Sequence, residues 1–380
     1  MSAVSGSRAV AAPSFEDLLA RRDLAWMGQN TTHLPLPPEV VEALTTSIAA
    51  QEYQLYAPAP GFSELRELIL DDLGLPDARA WVTNGAVDGL HQVVTSLAPR
   101  LSRVVTGDPG WPWPTRFASI AGVPTATVPI YDEAVGHKLT ARALDEHLVT
   151  GSLLYLVDPL NPLGSRYTRA ELEALVELAR EREVLIVHDC TYRHFATDHT
   201  LVADLYPERT VTTYSFSKWL GLAGLRVGAI VAAPQLLEEI TRVPGNPLGS
   251  SITAQRAAIA GLRVREPWLA TLREVNGENL RLVEDTVART GFGSIVVPHS
   301  HGNFTAVDIS VTGWSSEEVC AALLERNVFI RPGTYQSPLF GERFVKVSTS
   351  VPRPWAERFA TAWAGLEIRD GASESTERAR

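Results

Sequence analysis

The feature that most constrains the fold is the alternation of short apolar runs with helix-length amphipathic segments between residues 79 and 233. Runs such as "GSLLYLVD", "VLIVHD" and "VGAIVAA" are mostly apolar, which predicts strands with both faces buried. The segment "TRAELEALVELARERE" predicts a helix, with Thr168 as N-cap and Glu171 three residues later. This order predicts an α/β fold with a mostly parallel central sheet flanked by helices.

Polar residues follow several of these predicted strands. Asn84-Gly85-Ala86 comes after one strand, and Asp108, Asn161 and Asp189 come after others. In sheets of this kind, ligands bind at the carboxyl ends of the strands. We therefore expect the functional site at that edge.

The pattern changes after about residue 250, where a long helical segment, broken near Pro267, precedes short strands and helices. This predicts a smaller α+β C-terminal domain. We divide the chain into a disordered N-terminus (residues 1–14), an N-terminal segment packing with the small domain (15–50), a large cofactor-binding domain (51–255), the small domain (256–368) and a disordered tail (369–380).

Charge and composition exclude several classes of partner. The net charge of −10 disfavours nucleic acids and anionic membranes, since such a surface attracts neither. No apolar run approaches the ~18 residues of a membrane span, and no signal peptide is evident, so we expect a cytoplasmic protein. Cys190 and Cys320 predict two free thiols rather than a metal-ligand cluster, and His299 and His301 read as loop histidines. We expect no metal.

Lys218 stands out because the chain has only three lysines against 31 arginines. Arginine stays protonated at physiological pH, whereas a desolvated lysine can lose its proton and attack a carbonyl. Ser215 and Ser217 precede Lys218 and Arg226 follows it, groups that suit a phosphate. The stretch favours a phosphorylated carbonyl ligand, although a lone lysine is more often a surface residue or an ion-pair partner.

The segment "SFSKWLGLAGLRVG" resembles the cofactor-lysine signature of class I/II aminotransferases, the fold-type-I pyridoxal-phosphate enzymes. That signature reads Ser-x-Ser/Thr-Lys, then Gly-Leu-x-Gly-x-Arg-x-Gly. The resemblance implies pyridoxal 5'-phosphate held as a Schiff base on Lys218, with Ser215, Ser217 and Arg226 at its phosphate. Further motifs in the family's order extend the resemblance over roughly residues 25–365.

Two of these motifs imply contacts with the phosphate and the ring. "TNGAVDGL" resembles the phosphate loop, in which backbone N–H groups of Gly85, Ala86 and Val87 would hold the phosphate. "DPGWPWP" resembles the loop whose first aromatic residue stacks on the pyridine ring, here Trp111, with Trp113 as the rival.

Three other motif residues complete the implied cofactor site. "DPLNPLG" implies that Asn161 bonds the ring hydroxyl. "VLIVHDCTY" implies that Asp189 faces the pyridine nitrogen and Tyr192 the ring oxygen. "YAPAPGFSELR" implies that Tyr56 reaches across a dimer interface to the partner's phosphate. Taken without the resemblance, Asp189 could equally be a helix N-cap.

The chain departs from the family where the substrate carboxylate is expected to bind. The family's arginine, in a strand written like "yvRis", is replaced by Lys346 in "RFVKVSTS". Either Lys346 still binds a carboxylate, or the substrate sits differently and Arg331 or Arg343 supplies a guanidinium. Gly28 and Asn30, in "AWMGQNTTHLPLPPEV", are the candidates from the N-terminal substrate segment.

The resemblance implies an aminotransferase that moves an amino group between an amino acid and a 2-oxo acid, as a homodimer with its active sites at the interface. The alternative is a β-eliminating lyase of the carbon–sulfur type, or a cyclase of secondary metabolism, on the same scaffold. A regulator that only senses an effector is disfavoured, because the roughly fifty residues before the cofactor domain are too short and not basic enough for a DNA-binding module.

Overall fold

The computed structural model describes residues 14–369, so all but Ser14 and Arg369 of the segments predicted to be disordered (1–14 and 369–380) lie outside the described range. The helices are α1 (Phe15–Ala20), α2 (Pro38–Ala49), α3 (Ser63–Leu73), α4 (Ala86–Leu97), α5 (Trp113–Ile120), α6 (Ala141–Leu144), α7 (Arg169–Glu181), α8 (Val202–Leu205), α9 (Pro234–Thr241), α10 (Ile252–Arg263), α11 (Arg265–Thr290), α12 (Ser316–Glu325) and α13 (Arg353–Ala364). The strands are β1 (Ala25–Trp26), β2 (Arg79–Thr83), β3 (Arg103–Asp108), β4 (Thr125–Pro129), β5 (Ser152–Val157), β6 (Leu185–Asp189), β7 (Thr210–Ser215), β8 (Gly228–Ala232), β9 (Ser294–Ile295), β10 (Phe304–Asp308), β11 (Val328–Phe329), β12 (Arg331–Pro332) and β13 (Phe344–Ser348).

The central sheet has the strand order β2-β8-β7-β6-β5-β3-β4. Strands β7, β6, β5, β3 and β4 pair in parallel, and β8 runs antiparallel to both of its neighbours. Because β8 is reversed against both β2 and β7, β2 runs in the same direction as β7. The predicted mostly parallel sheet is confirmed, and the carboxyl ends of β2, β3, β5, β6 and β7 share one edge.

Helices cover both faces of this sheet, as its apolar strands require. Along β8, Ile230 and Ala232 belong to one buried cluster and Ala229 and Val231 to the other. Buried residues of α4 and α7 complete the first cluster, and those of α3 and α10 complete the second. The capping box predicted for α7 is present, with Thr168 and Glu171 bonding each other's backbone N–H groups.

The C-terminal part forms a separate antiparallel sheet with the strand order β12-β13-β10-β9. Phe359 and Trp363 of α13 and Val283 of α11 pack on this side of the molecule in their own buried cluster. The helical segment breaks at Val264, three residues before Pro267. Pro267 therefore lies in the first turn of α11, where its missing N–H removes no helical hydrogen bond.

The N-terminal segment contacts both parts of the chain. Strand β1 pairs in parallel with β11, and Leu18 of α1 packs against Phe329. Helix α2 instead packs on α10, where the Ser47 and Thr253 hydroxyls lie 2.9 Å apart. The domain boundaries given above stay predictions.

Among the described residues, no helix is both long and apolar enough to cross a membrane.

Candidate active site

A cavity of about 340 Å³ opens at the carboxyl edge of the central sheet. This volume lies within the ~300–1,000 Å³ typical of small-molecule sites. The predicted site residues that line it are Gly28, Asn30, Ala86, Val87, Trp111, Asn161, Asp189, Tyr192, Ser215, Ser217, Lys218, Arg226, Arg331 and Lys346. The structure thus brings together residues that lie more than 300 positions apart in the sequence.

Lys218 projects into this cavity from the loop that follows β7. Its Nζ donates to the Gln29 carbonyl at 3.1 Å. Burial, together with the charge of Arg226, lowers the pKa of Lys218 to about 8. The amine is therefore available as a nucleophile at a pH where an ordinary lysine is almost fully protonated.

Asp189 ends β6 with a buried carboxylate that faces the cavity. The carboxylate accepts hydrogen bonds from the Tyr155 hydroxyl (2.5 Å), the Thr213 hydroxyl (2.8 Å) and the Thr191 N–H (3.1 Å). None of the described lysines, arginines or histidines forms an ion pair with it. These neutral donors fix the carboxylate in place and leave its charge for a cationic group of a ligand.

Asn161, on the loop after β5, is the meeting point of three chain segments. Its Oδ1 accepts from Asn30 Nδ2 (3.2 Å), Gln336 Nε2 (2.9 Å) and Lys346 Nζ (3.2 Å). Asn30 Nδ2 also donates to the Tyr192 hydroxyl at 3.1 Å. With its oxygen occupied, the Asn161 side chain offers a ligand its Nδ2 donor.

The start of α4 forms the anion-binding end of the cavity. Gly85 is the N-cap, with φ +86°, and no side chain caps the helix, so the first N–H groups point outward without a capping partner. The Gly85 N–H itself donates to the Thr83 carbonyl at 2.8 Å. Ala86 and Val87 line the cavity, whereas Gly85 does not, and the predicted contact of the Gly85 N–H with a phosphate stays a prediction.

Gly85 is required for a steric reason instead. A Cβ at this position would lie 2.4 Å from Nη2 of Arg226. The Arg226 guanidinium is held there by the carbonyls of Ala223 (2.7 Å) and Asn84 (3.1 Å). The missing side chain lets this guanidinium approach the helix start, where both favour an anion.

The two tryptophans of the "DPGWPWP" loop have different positions. Trp111 lines the cavity, with its ring 6.1 Å from that of Tyr335. Trp113 begins α5 and packs on Phe117 at 5.6 Å, outside the cavity lining. The geometry favours Trp111 as the stacking residue.

Arg331 and Lys346 both line the cavity and lie directly opposite each other in the β12–β13 pair. Arg331 Nε donates to the Gly28 carbonyl at 3.3 Å, and its guanidinium lies 4.6 Å from the ring centre of Tyr335 and 5.3 Å from those of Phe15 and Phe329. Arg343, the other candidate guanidinium, pairs with Asp308 and does not line the cavity.

Tyr56 lies outside the cavity of its own chain. Its side chain is 78% exposed, on the loop before α3. No contact in the single chain tests the predicted role toward a partner's phosphate, which stays a prediction.

Several functional residues escaped the sequence reasoning. Tyr155 sits inside an apolar strand and Gln336 in a loop, and neither belongs to a recognisable motif. Phe15 and Gln29 reach the cavity from the N-terminal segment. For Tyr335 the sequence did offer a signal, because it follows the candidate substrate residue Arg331 in "RPGTY".

One group of described residues, His188, Cys190 and His199, brings metal-ligating atoms within 4.8 Å of one another behind Asp189. Both cysteines are free thiols, but Cys190 lies beside two histidines, a proximity that the sequence did not predict. His188 Nδ1, however, already accepts the Val202 N–H at 3.3 Å, and burial raises the pKa of the Cys190 thiol. Both histidines face Asp158: His199 Nε2 lies 3.1 Å from its carbonyl and 3.3 Å from its carboxylate, and His188 Nε2 lies 3.7 Å from that carboxylate.

The residues of the cavity fit the cofactor that the resemblance implies. An amine of lowered pKa suits an aldehyde, a fixed carboxylate suits a pyridinium nitrogen, and an amide donor suits a ring oxygen. The helix start and Arg226 suit a phosphate. Four basic side chains line the cavity with one carboxylate, a balance that favours an anionic ligand: Lys218, Arg226, Arg331 and Lys346 against Asp189.

Comparisons with known proteins agree with this assignment. The family model for aminotransferase class I and II matches residues 22–362. Aspartate aminotransferase from Pyrococcus horikoshii is 25% identical over 353 residues, covering 89% of each chain. Histidinol-phosphate aminotransferase 2 from Ralstonia nicotianae is 29% identical over 355 residues, covering 91% of this chain and 90% of that one.

Solved structures agree at the level of the fold. The N-succinyldiaminopimelate aminotransferase of Mycobacterium tuberculosis superposes with a TM-score of 0.82 at 24% identity, covering 92% of this chain and 95% of that one. A Thermus thermophilus aspartate aminotransferase variant gives a TM-score of 0.79 at 22% identity, with coverage of 95% and 100%.

Proposed function

The chain belongs to the class I and II aminotransferases, enzymes of pyridoxal-phosphate fold type I, and we propose that its transfer of an amino group between an amino acid and a 2-oxo acid centres on Lys218. The observation that carries this assignment is the buried Lys218 amine, with its pKa near 8, in one cavity with the fixed Asp189 carboxylate. Lys218 would hold the aldehyde of the cofactor covalently.

The neighbouring residues would orient the cofactor. The phosphate would be bound by the N–H groups of Ala86 and Val87, the hydroxyls of Ser215 and Ser217, and Arg226. Trp111 would stack on the ring, and Asn161 and Tyr192 would bind the ring oxygen. Asp189 would keep the ring nitrogen protonated.

Pyridoxal phosphate, when bound, supplies an electron-poor ring that stabilises the electron pair released at the substrate Cα. The Lys218 amine would act as the general base that removes the proton from the substrate Cα. Its lowered pKa suits this work, because a general base is most effective when its pKa lies near the operating pH.

The substrate carboxylate would bind at Lys346 and Arg331, with Gly28 and Asn30 forming the adjacent wall. The Lys346 amine can be either protonated or neutral, whereas the Arg331 guanidinium keeps its charge. The relatives do not point to one substrate side chain, since they are named aspartate, histidinol-phosphate, N-succinyldiaminopimelate and aromatic amino acid aminotransferases.

A homodimer would complete the site. Tyr56 is exposed and outside its own cavity, together with the nearby exposed side chains of Tyr53 and Leu55. Contiguous exposed apolar side chains of this size suit a protein interface. In the proposed dimer, Tyr56 would bind the phosphate held by the partner subunit.

The test is the half-reaction. Cofactor-loaded protein is mixed with single amino acids from a broad panel, without any 2-oxo acid, and the cofactor spectrum and products are recorded. We expect at least one donor to convert the cofactor to pyridoxamine phosphate with release of its 2-oxo acid, and a 2-oxo acid to reverse this. Release of ammonia and pyruvate without any acceptor would indicate the β-eliminating alternative instead.

A further inference from the structure

Two basic residues that line the cavity, Arg331 and Lys346, are neighbours on adjacent strands. In the antiparallel pair β12–β13, Arg331 lies directly opposite Lys346. Directly opposite residues project from the same face of a sheet, with their Cβ atoms about 5 Å apart. Both side chains line the cavity. Like charges placed this way repel each other unless one is neutral or an anion separates them.

The contacts of Lys346 do not require it to be charged. Its side chain is 4% exposed, and Nζ donates to the Asn161 Oδ1, a neutral acceptor that an uncharged amine can also satisfy. The ring centre of Phe304 lies 5.7 Å from Nζ. Within the described part of the chain, no carboxylate forms an ion pair with Lys346 or with Arg331.

Most charged groups near Lys346 are cations, which disfavour protonation of its amine. The exception is the carboxylate of Asp189. From β12 comes Arg331, and from the loop after β7 comes Lys218. Strand β10 contributes Ala306 and Phe304, which carry no charge. Asp189 is the single carboxylate of the cavity, and it is bound by its own three donors. Burial and the charge of Arg331, with that of Lys218 as long as its amine is free, hold the pKa of Lys346 well below its usual range.

The tyrosine hydroxyls in the cavity supply no negative charge that would favour a protonated Lys346. Tyr192 and Tyr335 also line it. Burial raises the pKa of Tyr192, which therefore stays a neutral phenol. The ordinary arginine of the family at this position could not respond to such surroundings, because its guanidinium keeps its proton.

We propose that Lys346 is a neutral amine until a substrate carboxylate binds between it and Arg331, and that it then takes up one proton from solvent. This inference rests on the proposed function, because it assumes that a carboxylate binds there. Protonated Lys346 and Arg331 would then both face the anion, so their repulsion would be replaced by two attractions. Lysine at position 346 thus makes carboxylate binding depend on pH.

The sign of this dependence follows from linkage. A carboxylate that selects protonated Lys346 binds without penalty below the pKa of the free amine. Above that pKa, and up to the pKa in the complex, its affinity falls by about tenfold for each pH unit. The Lys346→Arg variant always carries its charge, so its affinity should lack this decline.

The scarcity of lysine allows a direct test. Protein loaded with cofactor and isotopically labelled at the lysine ε-carbons contains three labelled side chains, at Lys138, Lys218 and Lys346. Lys138→Arg and Lys346→Arg variants assign the three NMR signals. Each signal is then followed against pH, with and without saturating maleate, a carboxylate that cannot be transaminated.

Without maleate, we expect the Lys346 signal to titrate well below the usual range of a lysine, and to shift to the protonated position when maleate is added. In Lys346→Arg, maleate affinity should stay flat where the wild type loses about tenfold per pH unit. Maleate binding with an unchanged Lys346 signal, or a Lys346 already protonated without maleate, would overturn the inference alone. Absence of any maleate binding would overturn the carboxylate site of the proposed function as well.

Discussion

At the residue scale, the surroundings of the three lysines show where a lysine differs in function from an arginine. Lys138 is partly buried; its Nζ pairs with the Glu171 carboxylate at 2.6 Å and donates to the Arg166 carbonyl at 3.1 Å. Lys218 and Lys346 are buried in one cavity, and burial lowers the pKa of both. Two of three lysines therefore sit where losing a proton is possible, which arginine cannot do.

The lowered pKa of Lys218 predicts how cofactor incorporation depends on pH. The neutral amine is the reacting form, so the rate at which cofactor-free protein binds pyridoxal phosphate should rise with pH and level off above about pH 8. Stopped-flow absorbance over a pH series measures this rate. A rate that continues to rise toward pH 10 would show that Lys218 keeps an ordinary lysine pKa.

Asp189 gives a second prediction at this scale. In Asp189→Asn the ring nitrogen loses its anionic partner, and we expect kcat to fall on the order of 10²–10³-fold, the usual loss when a preorganised electrostatic group is removed. Steady-state kinetics with the best donor measures this loss.

Tyr155→Phe is the matched control for Asp189→Asn. It removes one hydrogen bond to the carboxylate but leaves the charge, with Thr213 and Thr191 still holding it. We expect a much smaller decrease in kcat. Equal losses in both variants would mean that Asp189 acts through packing and not through its charge.

At this scale, the sequence predicts residues that lie in short local motifs, but not the contacts between residues that are distant in the sequence. Lys218, Arg226 and Asn161 were predictable because each sits in a short motif. The partners of Asn161 were not, since Gln336 and Lys346 lie 175 and 185 residues away. The bond from the Gly85 N–H to the Thr83 carbonyl was not predictable either, because it depends on the local backbone conformation.

At the element scale, the site depends on strand ends that share one edge. The alternation of apolar runs and helices predicted this arrangement, because parallel strands need helical crossovers. It did not predict that β8 runs antiparallel. The link from Ser215 to Gly228 holds Lys218 and Arg226 but no α-helix, so the chain turns back beside β7 instead of crossing over the sheet.

Asp72, near the end of α3, joins several of these elements. Its carboxylate is bound by Arg193 (2.5 Å), His194 (3.0 Å) and the Tyr214 hydroxyl (2.6 Å), and it pairs with Arg265 of α11. Burial alone would raise the pKa of Asp72, but the hydrogen bonds from His194 and Tyr214 and the charge of Arg193 outweigh it and lower the pKa.

Asp72→Asn should therefore destabilise the fold by about 3–5 kcal/mol, the usual cost of leaving a buried cation, here Arg193, without its carboxylate. Because the folded-state pKa is lowered, the stabilisation by Asp72 is present above about pH 4 and is lost as the pH falls further. Chemical denaturation at several pH values should show a shallower acid decline in the variant.

Glu173→Gln is the control for Asp72→Asn, since its pair with Arg169 is exposed and should contribute at most ~1 kcal/mol. An Asp72→Asn variant as stable as this control would contradict the proposed role of the cluster.

At the scale of the whole molecule, the site requires three distant parts of the chain. Asn30 comes from the N-terminal segment, Asn161 and Tyr192 from the central sheet, and Lys346 from the C-terminal sheet. The sequence predicted each of these residues separately, but the bonds of Asn30 and Lys346 to the Asn161 oxygen, and of Asn30 to the Tyr192 hydroxyl, arise only from the tertiary fold.

The exposed Tyr56 leads to a prediction about assembly. We expect the protein to elute in solution with twice the mass of one chain, as measured by light scattering. Tyr56→Phe should weaken the binding of pyridoxal phosphate severalfold, because one hydrogen bond to the partner's phosphate is lost. Tyr53→Phe, an equally conservative change at a nearby exposed tyrosine, should leave cofactor affinity unchanged. A monomer with full activity would refute the shared site.

Chemical trapping of the cofactor tests the central role of Lys218 most directly. Cofactor-loaded protein is reduced with borohydride, digested, and analysed by mass spectrometry, and only three lysines can carry the adduct. We predict a phosphopyridoxyl group on the peptide that contains Lys218, and its absence in Lys218→Arg. An adduct on Lys346 or Lys138, with Lys218 unmodified, would contradict the assignment of the active site.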